Sequence, residues 1–254
     1  MKFKNPLLLI RFTVQELVQR KTLQVLFLLF FLFCFSIPLW KHFSPESEVD
    51  FLINMGTGLA GFFLLIATVV IGGDLIPRDL ESRRLLFFYM HPVSKIEYLL
   101  GRALGTFLFL SFSFALFMAL LKLLFIWKAW PVAFWPSVFL LIKYLVLCAF
   151  LFWISPLVER FTAIFLGLAF FFIASSLSTF SFLAHESGRA MVQFWIDAAG
   201  VLFPHFELFD AAVSREVLES GQAQFYIAKT LAYGGWFIAV YLFFAYLALR
   251  KRNL

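Results

Sequence analysis

Six stretches of this chain, 22–40, 51–71, 98–127, 137–158, 161–184 and 226–249, run for about twenty or more residues with hardly a charge. A run of that length matches the hydrocarbon thickness of a bilayer when wound into a helix. Apolar residues make up 63% of the sequence and charged residues 14%, against roughly 45 to 50% and about 25% in soluble domains, so water is not the solvent of most of the chain. The runs are continuous, where a membrane β-barrel would alternate apolar and polar residues over about ten positions. The expected fold class is therefore all-α: an integral membrane protein with an N-terminal amphipathic helix over 1–21 and a six-span transmembrane domain over 22–254.

Orientation follows from the basic residues, which stay on the cytoplasmic side of short loops. With the N-terminus inside, fourteen of the 21 Lys and Arg fall on the inner side, five fall outside, and Lys122 and Lys143 lie within spans. Both termini are thus expected in the cytoplasm. The net charge of +6 reads as attraction to an anionic leaflet, and no nucleic-acid partner is expected, because no domain is left to build a basic groove. No small-residue cleavage site follows the first apolar run, so the N-terminal segment is expected to stay attached. Within that segment Phe3, Leu7, Ile10, Val14 and Leu17 recur at spacings of four and three. That spacing predicts one apolar helical face and an interfacial elbow helix lying on the inner leaflet.

The loop expected over 72–102 is the longest on the inner side. Gly72-Gly73 can end the second span in left-handed geometry, and Pro77 removes a helical donor. Asp79 then suits the N-cap of a short helix over 80–90, because His91 precedes Pro92 and is pushed out of helical geometry. Ser94 and Glu97 have the spacing of a capping box that starts the third span. The short helix would carry Glu81, Arg83 and Arg84 early and Leu85, Leu86, Phe87, Phe88 and Met90 late. So much apolar surface either tucks against headgroups or docks on a partner.

The strings Arg78-Asp79-Leu80-Glu81-Ser82-Arg83-Arg84-Leu85-Leu86, Met90-His91-Pro92-Val93-Ser94-Lys95 and Leu99-Leu100-Gly101-Arg102-Ala103-Leu104-Gly105 resemble the inner loop of the type-2 family of ABC transporter permeases. The stretch Leu202-Phe203-Pro204-His205-Phe206-Glu207-Leu208-Phe209-Asp210, with Tyr233-Gly234 after it, is similar to the branch labelled for multicopper enzyme maturation. The resemblance covers nearly the whole chain, including an elbow helix with Glu16 and Lys21. It implies a permease subunit of an ATP-driven exporter in a bacterial inner membrane, working as a homo- or heterodimer with a second permease. The loop helix would be a coupling helix seated on a cytoplasmic ABC ATPase, with Asp79, Glu81, Arg83, Arg84, Leu85, Leu86, Phe87, Phe88, Met90, His91 and Pro92 as the coupling residues. ATP and Mg would be bound by that partner and no cofactor by this chain. The chain has no Gly-x-x-x-x-Gly-Lys-Ser/Thr phosphate loop, so it is expected to be non-catalytic.

Other motifs weigh less. Gly56-x-Gly58-x-x-Gly61 and Gly101-x-x-x-Gly105 suit close helix packing better than a nucleotide. His185-Glu186 and His205-x-Glu207 lack the i, i+4 His pair of a zinc helix, and Cys34 and Cys148 cannot make a four-ligand site, so no metal is expected. An intramembrane enzyme finds no Gly-x-Ser-x-Gly elbow. A secondary transporter would use Lys122 or Lys143, which the spans place toward their outer ends, able to snorkel to headgroups. The outer segment 185–225 is too polar for a seventh span and holds an amphipathic run ending at Pro204. In the resembled family this region caps the path, which makes Phe194, Trp195 and Pro204 gate candidates.

Overall fold

The computed structural model describes residues 4–40, 48–82, 94–124, 130–187, 191, 194, 200, 203–210 and 223–251. Among these, all regular structure is helical: α1 (Lys4–Val18), α2 (Lys21–Trp40), α3 (Glu48–Glu81), α4 (Lys95–Leu124), α5 (Trp130–Ile154), α6 (Arg160–Ser187), a 3-10 turn (Phe206–Phe209) and α7 (Ala223–Lys251). Five of them, α3 to α7, are each long and apolar enough to cross a bilayer, and the bent pair α1 and α2 raises the number to six.

Local chemistry sets the helix ends. The Ser94 backbone N–H donates to Glu97 Oε2 at 2.8 Å and the Glu97 N–H donates to Ser94 Oγ at 3.2 Å, the reciprocal box expected at the start of α4. Lys95 Nζ donates to the Leu249 carbonyl at 3.3 Å, covering an orphan acceptor at the end of α7. At the elbow α1 and α2 meet at 61°. Gln24 Nε2 donates to the Val18 carbonyl at 3.0 Å there, which closes the end of α1 from within α2.

Phenylalanine packing holds the spans together. Phe30 of α2 stacks on Phe117 of α4 with centroids 3.9 Å apart and meets Phe63 of α3 edge-on at 5.4 Å. On the other side Phe150 of α5 stacks on Phe170 of α6 at 3.7 Å, and Trp153 lies parallel to Tyr241 of α7 at 5.9 Å. Such pairs add about 0.5 to 1.5 kcal/mol beyond burial, an orientational term that matters where lipid is as apolar as the side chains. Glycine sets the closest approaches. A Cβ on Gly101 would stand 2.6 Å from Leu9 Cβ, and one on Gly105 would stand 2.7 Å from Thr13 Cβ. The Gly101-x-x-x-Gly105 face is thus where α1 lies against α4.

One sequence expectation changes here. Gly72, Gly73, Pro77 and Asp79 do not end a helix; α3 runs through them to Glu81 with Pro77 inside it, so Asp79 is not an N-cap. A Cβ on Gly72 would lie 2.8 Å from Leu151 Cβ and one on Gly73 would lie 2.7 Å from Ile164 Cγ1. The pair therefore serves close packing on α5 and α6, and that packing tolerates the one backbone bond Pro77 removes. The connection expected over 72–102 shrinks to 82–94. The elbow helix also buries a face against the bundle. Leu9, Thr13 and Leu17 are buried, whereas Leu7 is exposed and Ile10 and Val14 are only partly covered; Phe3 lies outside the described residues. Contact with the α4 glycines sets this inward face through Leu9 and Thr13.

Candidate functional site: an arginine and carboxylate cluster at the elbow

Seven charged side chains from α1, α3, α4, α6 and the elbow gather at one end of the bundle. Glu16 of α1 sits centrally. Its Oε2 takes Arg102 Nη1 of α4 at 2.7 Å, its Oε1 takes Arg78 Nη2 of α3, and Arg20 Nη2 stands 3.6 Å from Oε1. Arg102 Nη2 meets Asp79 Oδ2 at 2.6 Å, and the Tyr98 hydroxyl donates to the same oxygen at 2.7 Å. Asp74 Oδ2 accepts from Arg20 Nη1 at 2.6 Å, and its Oδ1 pairs with Arg160 Nε of α6 at 2.7 Å without hydrogen-bond alignment.

Arg102 and Asp79 are fully buried, and the Arg20, Asp74 and Glu16 side chains nearly so. A buried charge costs several kcal/mol unless paired, so the cluster forms only if α1, α3, α4 and α6 arrive together. Burial alone would push the Glu16 carboxyl up, but Arg102, Arg78 and Arg20 together hold it below its ordinary value. Burial is also the main reason the Arg20 guanidinium is pushed down. Asp79 stands in the last turn of α3, where the helix dipole disfavours an anion; Arg102 and Tyr98 supply the compensation.

A second charged pair joins a buried lysine of α5 to a half-buried aspartate. Lys143 is thirteen residues into α5, about 20 Å from its start at 1.5 Å per residue, and only 5% exposed. It does not snorkel. Its Nζ pairs with Asp210 Oδ1 at 2.7 Å and lies over the rings of Phe171 and Phe206 at 5.2 and 5.6 Å. The segment 203–210 makes this possible by entering the bundle: Phe206 and Phe209 are fully buried, the His205 N–H donates to the Tyr233 hydroxyl at 2.9 Å, and the Tyr226 hydroxyl donates to the Leu208 carbonyl at 2.6 Å. Gly234 leaves room for α5, since a Cβ there would be 2.4 Å from Ile142 Cγ2. Part of the segment 185–225, expected on the outer side, is thus a plug between α5, α6 and α7. Beside it, an apolar cavity of about 460 Å³ is walled by Phe150, Trp153, Phe170, Phe203, Trp236 and Tyr241 among others.

Of the expected coupling residues, Asp79 enters the ion cluster and Glu81 is exposed at the end of α3. Arg83, Arg84, Leu85, Leu86, Phe87, Phe88, Met90, His91 and Pro92 lie outside the described residues. Of the gate candidates, Pro204 is buried with the plug, Phe194 is exposed, and Trp195 lies outside the described residues. Among the described residues no three His, Cys, Asp or Glu side chains gather as a metal site requires. The sequence matches no protein-family model and no curated protein.

Proposed function

We propose that this chain is the membrane subunit of an ATP-driven transporter of the type-2 ABC permease kind, with both termini and the arginine end of the bundle in the cytoplasm of a bacterial cell. The observation that carries the proposal is the ion cluster and its position. Residues 82–94 connect α3 to α4, and the two helix ends that hold this connection are bound to the elbow and to α6 through Asp74, Arg78, Asp79, Tyr98 and Arg102. A force applied to the connection by a docked ATPase would reach four helices as one unit. Packed cores respond to such a force by switching between discrete arrangements and not by bending. The apolar cavity and the Phe203–Asp210 plug beside it suit a path for an apolar substrate under a lid. In this reading Glu81, Arg83, Arg84 and the apolar run Leu85 to Phe88 meet the ATPase, and a second permease copy completes the path.

A second reading rests on Lys143 and Asp210. An ion pair far inside a span is where a secondary transporter would bind a charged substrate or a proton. Affinity isolation of the full chain from its native membrane in mild detergent separates the two. The ABC reading expects a stoichiometric nucleotide-hydrolysing chain in the eluate and transport that stops without ATP. Transport by the isolated chain in vesicles, driven by an ion gradient alone, would replace it with the second reading.

A further inference from the structure

The elbow carries a groove of about 400 Å³ lined by Phe12, Gln15, Glu16, Gln19, Arg20 and Arg78. Its charges do not balance. Among the described residues the cluster sets Arg20, Arg78, Arg102 and Arg160 against Glu16, Asp74 and Asp79, an excess of one positive charge. Nor are its donors all used. The Arg20 side chain is 8% exposed and gives Nη1 to Asp74, yet its Nε and Nη2 make no hydrogen bond among the described residues. Glu16 Oε1, at 3.6 Å from Nη2, is beyond hydrogen-bond reach. Nearly every buried donor finds a partner. The Nε and Nη2 edge of a guanidinium is a planar fork that matches two oxygens of a phosphate or carboxylate.

The surroundings favour one source of such an anion. Arg20 stands where α2 begins, at the level a headgroup occupies if α2 spans the bilayer. On the two arms of the bend the apolar side chains of Leu8, Phe12, Val18, Val25 and Leu28 are exposed, as surfaces facing acyl chains would be. Gln15 and Gln19 are exposed at the groove and can donate amide hydrogens to ester oxygens.

We propose that this groove binds the phosphate of an anionic lipid headgroup, with the Arg20 fork and Arg78 holding the phosphate and the exposed arms of α1 and α2 lying against the acyl chains. The site bears on whichever transport mechanism holds, because it uses only the elbow. The lipid acts as part of the cluster: it supplies a negative charge and couples the elbow to the leaflet.

The test uses the full chain in neutral detergent, with melting temperature followed against short-chain phosphatidylglycerol, phosphatidylcholine of the same chains, and inorganic phosphate. Phosphatidylglycerol is expected to act at a concentration at least tenfold lower than phosphatidylcholine, with inorganic phosphate producing no shift at the same concentrations. Gln15→Glu with Gln19→Glu places two anions at the groove and leaves every ion pair of the cluster in place; it is expected to abolish the tenfold preference. Arg78→Gln is expected to do the same where it folds. Equal action of the two lipids, or an undiminished preference in the Gln15→Glu, Gln19→Glu protein, would overturn the proposal. A shift with inorganic phosphate equal to that with phosphatidylglycerol would overturn the lipid assignment and leave a free-anion site.

Discussion

Replacing Asp210 by Asn tests the Lys143–Asp210 ion pair most sharply. Breaking a buried pair from one side costs roughly 3 to 5 kcal/mol, because the remaining charge is left uncompensated. Here two features reduce that figure. The Asp210 side chain is 43% exposed, so part of its attraction to Lys143 is already screened by solvent. The Phe171 and Phe206 rings also face the ammonium, and cation–π contacts of this kind are worth up to about 2 kcal/mol when desolvated. The net expectation is a loss of about 2 kcal/mol. Lys143→Met removes the buried charge and leaves Asp210 partly hydrated, so it should cost less. With Met at 143 the Asp210→Asn change should become nearly neutral. Unfolding of the four proteins in a mixed-detergent titration gives the cycle, and a coupling of at least about 1 kcal/mol is expected. Additive effects, with Asp210→Asn costing the same in both backgrounds, would refute the pairing and the entry of 203–210 into the bundle.

Other predictions concern packing, pH and topology. Gly73→Ala and Gly234→Ala should each destabilise by about 1 to 3 kcal/mol through overpacking, because their Cβ atoms would meet Ile164 and Ile142 at 2.7 and 2.4 Å. Gly58→Ala meets nothing within 4 Å and should be neutral or stabilising by up to about 1 kcal/mol; melting temperatures check the contrast. Because the folded Glu16 carboxyl titrates below its ordinary 4.5, its contribution is present above that pH and fades as pH falls through the folded value. The stability gap between the native chain and Glu16→Gln should therefore be constant near neutrality and shrink below pH 4.5, and a gap that widens in acid would contradict the cluster. In a background without Cys34 and Cys148, a cysteine at Gln224 should react with an impermeant thiol reagent from outside intact cells and one at Ser82 should not; labelling of Ser82 would reverse the orientation.

The spans were legible in the sequence because long apolar runs have one solution in lipid, and the Ser94 and Glu97 box was legible because its chemistry is local. Gly72-Gly73 and Pro77 misled for the opposite reason. As punctuation they stop a helix in water, but in α3 the glycines admit Leu151 and Ile164, and tertiary packing outweighs a local preference. The ion cluster was hidden by distance along the chain: Glu16, the Asp74 and Asp79 pair, Arg102 and Arg160 are far apart, and each arginine already had an explanation as a marker of sidedness. The available signal was the acids, since Asp74 and Asp79 adjoin an apolar run where an unpaired carboxylate is costly. Lys143 was misplaced because α5 begins at Trp130, seven residues before its apolar run, which moves the lysine inward. No local pattern announces that Asp210 comes to meet it.

The central claim is that residues 82–94 transmit work from an ATPase to the helices bound at the elbow. It is tested by ATP turnover of the assembled complex in lipid nanodiscs, compared between the native chain and Phe87→Ala with Phe88→Ala. Each anchor, if buried against a partner, contributes roughly 1.5 to 3 kcal/mol. The account predicts a variant with an unchanged melting temperature that no longer retains the ATPase or no longer raises its turnover. An intact complex with native turnover would contradict it.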